Sequence, residues 1–268
     1  MKASGPVTGL VVALESAACT RREVQAPVPQ DTHAVPARQT PATPPAPREA
    51  LFAERSDERA RLVRRVAEGG VTDPRVLAAM GRVPRHHFVP EAVRSEAYLD
   101  QPLPIGWGQT ISQPYVVAAM TAAVAPTPAD RCLEIGTGSG YQAAVLAELC
   151  ARTYSIEYIP ELAAFGARNL RALGYPVEVR TGDGYLGWPE AAPFNVIVVT
   201  AAPERVPQPL LDQLALGGRL IIPVGPAGST QRLELWTRRA PGSDPEAFQR
   251  RALEAVRFVP FLGDGGGG

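Results

Sequence analysis

The chain has 268 residues, 45% of them apolar and 6% aromatic, and its 27 lysines and arginines are balanced by 27 aspartates and glutamates. That composition provides a sizeable core and excludes a general electrostatic attraction to nucleic acid or to an anionic membrane. Cys19, Cys132 and Cys150 include no C-x-x-C pair and histidines are nearly absent, which excludes a disulfide framework and a zinc pattern. Cys132 and Cys150, inside apolar runs, are expected to be small core side chains.

The first 23 residues carry Lys2, a short apolar stretch interrupted by Glu15, and Cys19, a weak form of a bacterial signal with a lipid-acceptor cysteine. Residues 24–48 are rich in proline and alanine without apolar periodicity and read as an extended, solvated segment. The expected organisation is a disordered leader over 1–50, one folded domain over 51–262 and a disordered glycine tail over 263–268. The domain opens with two short amphipathic helices. Leu62, Val63 and Val66 share a face of the first, Gly69 and Gly70 stop it, and Asp73 caps a second that begins at Pro74. A loop with the sequence GQTISQP, residues 108–114, precedes an apolar helix, PYVVAAMTAAVA, for which Ser112 is placed as N-cap.

Beyond Asp130 strands and helices alternate: RCLEIG, TYSIE, PVEVR, FNVIVVT and RLIIPVG read as strands, with helices in YQAAVLAELC, ELAAFGARNLRALG and PQPLLDQLA and a turn at Gly217-Gly218. Near-continuous apolar strands joined by crossover helices predict an α/β fold, a doubly wound and mostly parallel sheet covered on both faces. RLELWTRR and RALEAVRFVPF predict an antiparallel pair at its C-terminal edge.

The first of these strands runs into Gly136-Thr137-Gly138-Ser139-Gly140 and then a helix. A dinucleotide loop would place its third glycine at Tyr141, and no Gly-Lys-Ser/Thr follows to make a phosphate loop. The G-x-G-x-G spacing resembles instead the loop of class I methyltransferases that bind S-adenosylmethionine. Glu134 lies just before the loop. Glu157 ends the next strand, where a carboxylate can accept ribose hydroxyls, and Asp183 follows the third, where an adenine-contacting carboxylate belongs. For the glycines alone a tight turn, and for Glu157 and Asp183 alone a helix-N-terminal charge, remain the plainer readings.

From about Arg59 to Phe261 the chain resembles the protein-L-isoaspartate O-methyltransferases closely. The resemblance rests on VPRHHFVP (83–90), LPIGWGQTISQP (103–114), LEIGTGSGYQAAVLAEL (133–149), GDGYLGWPEAAPF (182–194), VTAAPERVP (199–207), GGRLIIPVG (217–225) and VRFVPF (256–261). Of these, GQTISQP and VTAAP are specific to the family. It implies a Rossmann-like methyltransferase sheet and transfer of a methyl group from S-adenosyl-L-methionine to the α-carboxyl of L-isoaspartyl residues, and less readily of D-aspartyl residues. The ester then collapses to a succinimide that hydrolyses partly to normal aspartate. It implies Ser112 as the active-site residue, with Gln109, Thr110 and Ile111 forming the pocket around it. The glycine loop, including Thr137 and Ser139, would bind the cofactor together with Glu134, Glu157, Asp183, Gly184 and Thr200. Asn195 and Phe261 depart from the family's usual aspartate and leucine.

The acceptor carboxylate is ionised at neutral pH, so the chemistry needs orientation and exclusion of water rather than a strong base. Neutral donors suit that task, which gives the two hydroxyls and two amides of GQTISQP a purpose. Ser112 is either such a donor or only a helix cap. The rival readings are a nicotinamide oxidoreductase, a serine hydrolase with His86 or His87 as base, a cofactor-binding module without activity, and a methyltransferase for another carboxylate. His86 and His87 are expected to pack or cap, and Trp107, Trp188 and Trp236 to pack. The expected partners are damaged proteins carrying isoaspartate, with no nucleic acid, no metal and no stable membrane contact. Because S-adenosylmethionine is made in the cytoplasm, a cytoplasmic location is expected, with a lipoprotein anchored through Cys19 as the alternative.

Overall fold

The computed structural model describes residues 48–266. Three helices lead: α1 (Arg48–Ala53), α2 (Ser56–Glu68) and α3 (Pro74–Arg82). Asp73 caps α3 by accepting the Arg75 amide, with Pro74 in the first turn, as the sequence pattern required. The stretch expected as a loop contributes to a hairpin, β1 (Leu103–Gly106) and β2 (Gln109–Ile111), whose turn Gly106-Trp107-Gly108 has positive φ throughout. Helix α4 (Pro114–Val124) follows.

The main sheet then builds as β3 (Arg131–Ile135), α5 (Tyr141–Ala147), β4 (Arg152–Glu157), α6 (Pro160–Ala172), β5 (Val177–Thr181), β6 (Phe194–Val199), α7 (Gln208–Asp212), β7 (Leu214–Val224), β8 (Gln231–Arg238) and β9 (Phe248–Val256). Strand order is β5-β4-β3-β6-β7-β8-β9. The five strands β5, β4, β3, β6 and β7 are parallel, while β8 and β9 add antiparallel at one edge. This is the predicted doubly wound sheet with its antiparallel edge. Alternation along the strands separates two cores. Cys132, Val196, Val198 and Ile221 pack with Met120, Val124 and Leu146 on one face. Leu133, Ile135, Ile197, Val199, Leu220 and Ile222 pack with Leu210 and Leu211 on the other.

Three further expectations are corrected. Gly217 and Gly218 do not make a turn between elements but sit inside β7, where the register to β6 jumps from Phe194↔Leu214 to Val196↔Arg219 and Gly217 takes φ 76°; a glycine-containing bulge absorbs the extra residues. Ser112 is not the N-cap of α4: the cap position is Gln113, and the Tyr115 amide is satisfied by Asp100. Cys132 and Cys150 do lie in the core, but as a disulfide, with Cα atoms 6.3 Å apart. Cys19 and the leader lie outside the described residues apart from the helix that begins at Arg48.

Candidate active site

Strand order reverses at β3, which pairs with β4 on one side and β6 on the other. Open α/β sheets place ligands beyond the carboxyl ends of the strands at such a point. Here that position holds the glycine loop after β3 and Thr200 after β6. Gly136 has φ 97°, and a Cβ there would collide with Thr200 Oγ1. The Thr200 hydroxyl donates to Gly136 O at 2.8 Å, locking the loop to β6. Gly140, φ 89°, sits at the start of α5 against Leu170 and the Gly166 carbonyl, where a side chain would not fit.

Two carboxylates flank the loop. Glu157 Oε2 accepts the Gly138 amide at 2.9 Å and its Oε1 the Ile159 amide at 3.2 Å. Burial pushes its carboxyl above the usual range despite these bonds. Glu134 is completely enclosed, accepts from the Ser155 hydroxyl at 2.5 Å, and is pushed up to about 8 by burial. Ser155 also bonds Thr137 Oγ1 at 2.6 Å, so a hydroxyl chain links the loop to Glu134.

Three cavities share Thr110 and Thr200 as lining residues, and two of them reach the glycine loop. The first is a cleft lined by Gln109, Gly136, Gly138, Glu157 and Gly184, with apolar walls from Ile135, Ile156, Leu162 and Phe261. The second is a small pocket bringing together Ile111, Ser112, Glu134, Thr137 and Ser139. The third, of about 490 Å³, runs from Ser112 past Tyr115 and Thr230 to Arg257 and Phe258 beside the end of β9. Thus the hairpin, the glycine loop and the sheet edge meet at one place. Of the expected site residues, Gly140 and Asp183 line none of the three. Asp183 accepts the amides of Tyr185, Asp264 and Gly265 at 2.8–3.0 Å, fixing the turn that carries Gly184 and the segment beyond Phe261. Phe261 packs against Tyr185 with ring centroids 4.2 Å apart, and Asn195 accepts the Arg131 amide at 2.9 Å, so both departures from the family pattern have structural partners.

Ser112 is half-buried, and among the described residues nothing hydrogen-bonds its hydroxyl; only its carbonyl is engaged, by Arg85 at 2.9 Å. Arg85 is fully buried, donates also to Ala97 O at 2.9 Å, and lies 4.7 Å from the centre of the Tyr141 ring. Sequence reasoning missed Arg85 and Asp100 as supports of the site. An arginine between two apolar segments, in VPRHHF, was the available signal. His86 is tied up by Tyr98 and Glu54 on its two ring nitrogens, and His87 faces the same glutamate, so neither serves Ser112 as a hydrolase base.

A glycine loop at the switch point, a buried carboxylate ending the next strand and an apolar cleft beyond it define an S-adenosylmethionine-dependent methyltransferase. The residues fit that molecule: open backbone at Gly136 and Gly138, an acceptor pair on Glu157 for a diol, and apolar walls for a base. The chain matches the model of the protein-L-isoaspartate(D-aspartate) O-methyltransferase family over residues 57–265, and it belongs to that family. It is similar to the protein-L-isoaspartate O-methyltransferases of Gloeobacter violaceus, 58% identical over 72% of this chain and 92% of that one, and of Opitutus terrae, 57% identical over 77% and 88%. A solved protein-L-isoaspartate O-methyltransferase superposes with a TM-score of 0.70 at 30% identity, covering 78% of this chain and 67% of the other.

Proposed function

We propose that the chain methylates the α-carboxyl of L-isoaspartyl residues, and less readily of D-aspartyl residues, in damaged proteins, with Ser112 orienting the acceptor carboxylate. The observation that carries the role of Ser112 is its unengaged hydroxyl on a wall shared by the glycine-loop pocket and the larger cleft. S-adenosylmethionine, when bound, supplies a methyl group on a positively charged sulfur. Gly136, Gly138, Glu157 and Thr200 would hold it, with Ile156, Leu162 and Phe261 against its base. Asp183 would serve the adenine end by fixing the Gly184-Tyr185 turn.

The remaining work falls to the hairpin. The acceptor arrives ionised, so no residue has to remove a proton from it. Ser112 and Thr110 present neutral hydroxyls, which align an anion without binding it so tightly that its ground state is favoured over the transition state. Gln109 lines the cofactor cleft and the buried Ile111 lines the small pocket beside Ser112. Arg257 and Glu254, both exposed at the far end of the large cleft, offer a peptide one charge of each sign. The methyl ester then leaves the enzyme, and the following backbone amide nitrogen attacks its carbonyl and displaces methanol to close the succinimide, which takes up water and hydrolyses partly to normal aspartate. Since the cofactor is made in the cytoplasm, we infer that the enzyme works there; no helix among the described residues is long and apolar enough to cross a membrane.

The test is transfer of labelled methyl from S-adenosylmethionine to two synthetic peptides that differ only in carrying L-isoaspartate or normal L-aspartate. Base-labile label on the isoaspartyl peptide alone is expected. Cofactor binding with label on neither would move the reading to a different acceptor or to a binding module.

A further inference from the structure

Away from the methyl-transfer site, three side chains converge. Glu54 follows α1, and His86 and His87 lie on a 3₁₀ turn over Arg85–Phe88. The Nε2 atoms of both histidines approach the same oxygen, Glu54 Oε2, at 3.0 and 3.2 Å, and the three candidate ligand atoms all lie within 4.8 Å of one another. We propose that Glu54, His86 and His87 form a binding site for a late first-row divalent metal ion, Zn²⁺ being the representative case.

The geometry suits an ion. Ligands held at ~2.0–2.1 Å in a tetrahedral site stand about 3.3 Å apart, and the two imidazole-to-carboxylate distances are close to that. His87 Nε2 is shut off from solvent and makes no well-aligned hydrogen bond, its one close polar neighbour being Glu54 Oε2 at 3.2 Å, so its hydrogen-bonding capacity is poorly used. A buried polar atom in that condition is destabilising unless something satisfies it. The surrounding shell is built for it as well. His86 Nδ1 lies 2.8 Å from Tyr98 Oη, which in turn accepts from Arg59 at 3.3 Å, an arrangement that fixes the ring with Nε2 directed at the carboxylate. Two imidazoles and one carboxylate favour Zn²⁺ and its neighbours over Mg²⁺ or Ca²⁺, which take oxygen ligands. With three protein ligands and Glu54 about half exposed, a position stays open to water. An ion there ties the end of α1 to the turn whose first residue, Arg85, grips Ser112.

The experiment uses the full chain, stripped with chelator and dialysed at neutral pH. Titration with Co²⁺ should give saturable visible d–d absorption at one equivalent, displaced by Zn²⁺, and Zn²⁺ should raise the melting temperature. His87→Ala and Glu54→Gln, both on solvent-accessible side chains, should each weaken Zn²⁺ affinity by at least about tenfold and remove the thermal shift. Their melting temperature without metal gives the stability control; if His87→Ala unfolds, Glu54→Gln carries the test. No saturable absorption, or an affinity unchanged in Glu54→Gln, would overturn the site and leave the three side chains as a hydrogen-bonded cluster.

Discussion

The carboxylate of Asp100 accepts the amide of Tyr115 at 2.8 Å, the bond that an N-cap of α4 would make, and also holds Gln113 Nε2 at 3.0 Å. A residue 15 positions upstream therefore terminates the helix, and the serine that sequence alone would assign to the task is released to face the clefts. The two roles open to Ser112 become separable. Asp100→Ala should destabilise the fold by about 1 kcal/mol, the usual cost of a lost cap. Ser112→Ala should change stability by less than about 0.5 kcal/mol while lowering kcat by roughly tenfold or more through misorientation of the acceptor. Chemical denaturation of both variants beside single-turnover methylation would decide it; a Ser112→Ala enzyme with full kcat would remove Ser112 from the mechanism.

Arg85 supports that arrangement from behind. Its guanidinium has no access to solvent, bonds the carbonyls of Ala97 and Ser112, and is pushed down to about 10 by burial while still charged at neutral pH. Lysine presents one ammonium where arginine presents a planar fork, and it does not span both carbonyls. Arg85→Lys should therefore cost about 2 kcal/mol of stability, the scale of a charge-assisted hydrogen bond, and reduce kcat with little effect on cofactor dissociation. Isothermal titration with S-adenosyl-L-homocysteine distinguishes this positioning role from a general loss of fold, which would weaken both.

The parallel sheet and the glycine loop were legible because their signals are local. Apolar runs of strand length, the G-x-G-x-G spacing and Glu157 all lie on or next to the strands they mark, and the order of segments along the chain carried the topology. What was not legible depends on distant partners. The GQTISQP stretch is too short and polar to announce a strand, and becomes one only by pairing Ile111 with Leu103 and Thr110 with Pro104. The capping of α4 by Asp100, the grip of Arg85 on Ser112 and the Cys132–Cys150 bond each join segments whose proximity only the fold creates. Asp183 shows the reverse case. Its place after β5 was as expected, but its carboxylate is spent on the amides of Tyr185, Asp264 and Gly265.

Glu134 gives the site a pH signature. Burial, helped by the nearby Glu157, raises its carboxyl to about 8 from an ordinary 4.5, against the opposing pull of Ser155. Between those values the native state holds a proton that the unfolded chain has lost. Its contribution to stability is therefore complete below about pH 4.5 and disappears as pH rises through about 8. Glu134→Gln should flatten that part of the stability profile. A cationic ligand in the adjoining cleft should expel the proton, whereas its neutral demethylated product should not. Calorimetry at pH 7 in buffers of different ionisation enthalpy should show release of up to about one proton with S-adenosylmethionine and close to none with S-adenosyl-L-homocysteine. Equal release for both would mean that Glu134 does not sense the sulfur's charge.

The Cys132–Cys150 disulfide links the second residue of β3 to the segment just after α5, with a sequence separation of 18, and so encloses the glycine loop. A loop of that size restricts the unfolded chain enough to stabilise the fold by about 3 kcal/mol. Disulfides persist in oxidising compartments and are rare in the cytoplasm, so the bond and the inferred location pull in opposite directions. The loop itself does not depend on it, being held by Thr200 through Gly136 O and by Glu157 through the Gly138 amide. Cys132 is fully buried and Cys150 partly so, and both sit in an apolar cluster that accommodates thiols. Reduction, or Cys150→Ser, should therefore lower stability by about 3 kcal/mol and leave cofactor affinity and methyl transfer nearly unchanged. Intact mass and thiol titration of protein purified with alkylation at lysis report which form exists in the cell. Loss of cofactor binding on reduction would instead make the bond part of the active-site architecture, and that outcome would favour an oxidising environment over the cytoplasm.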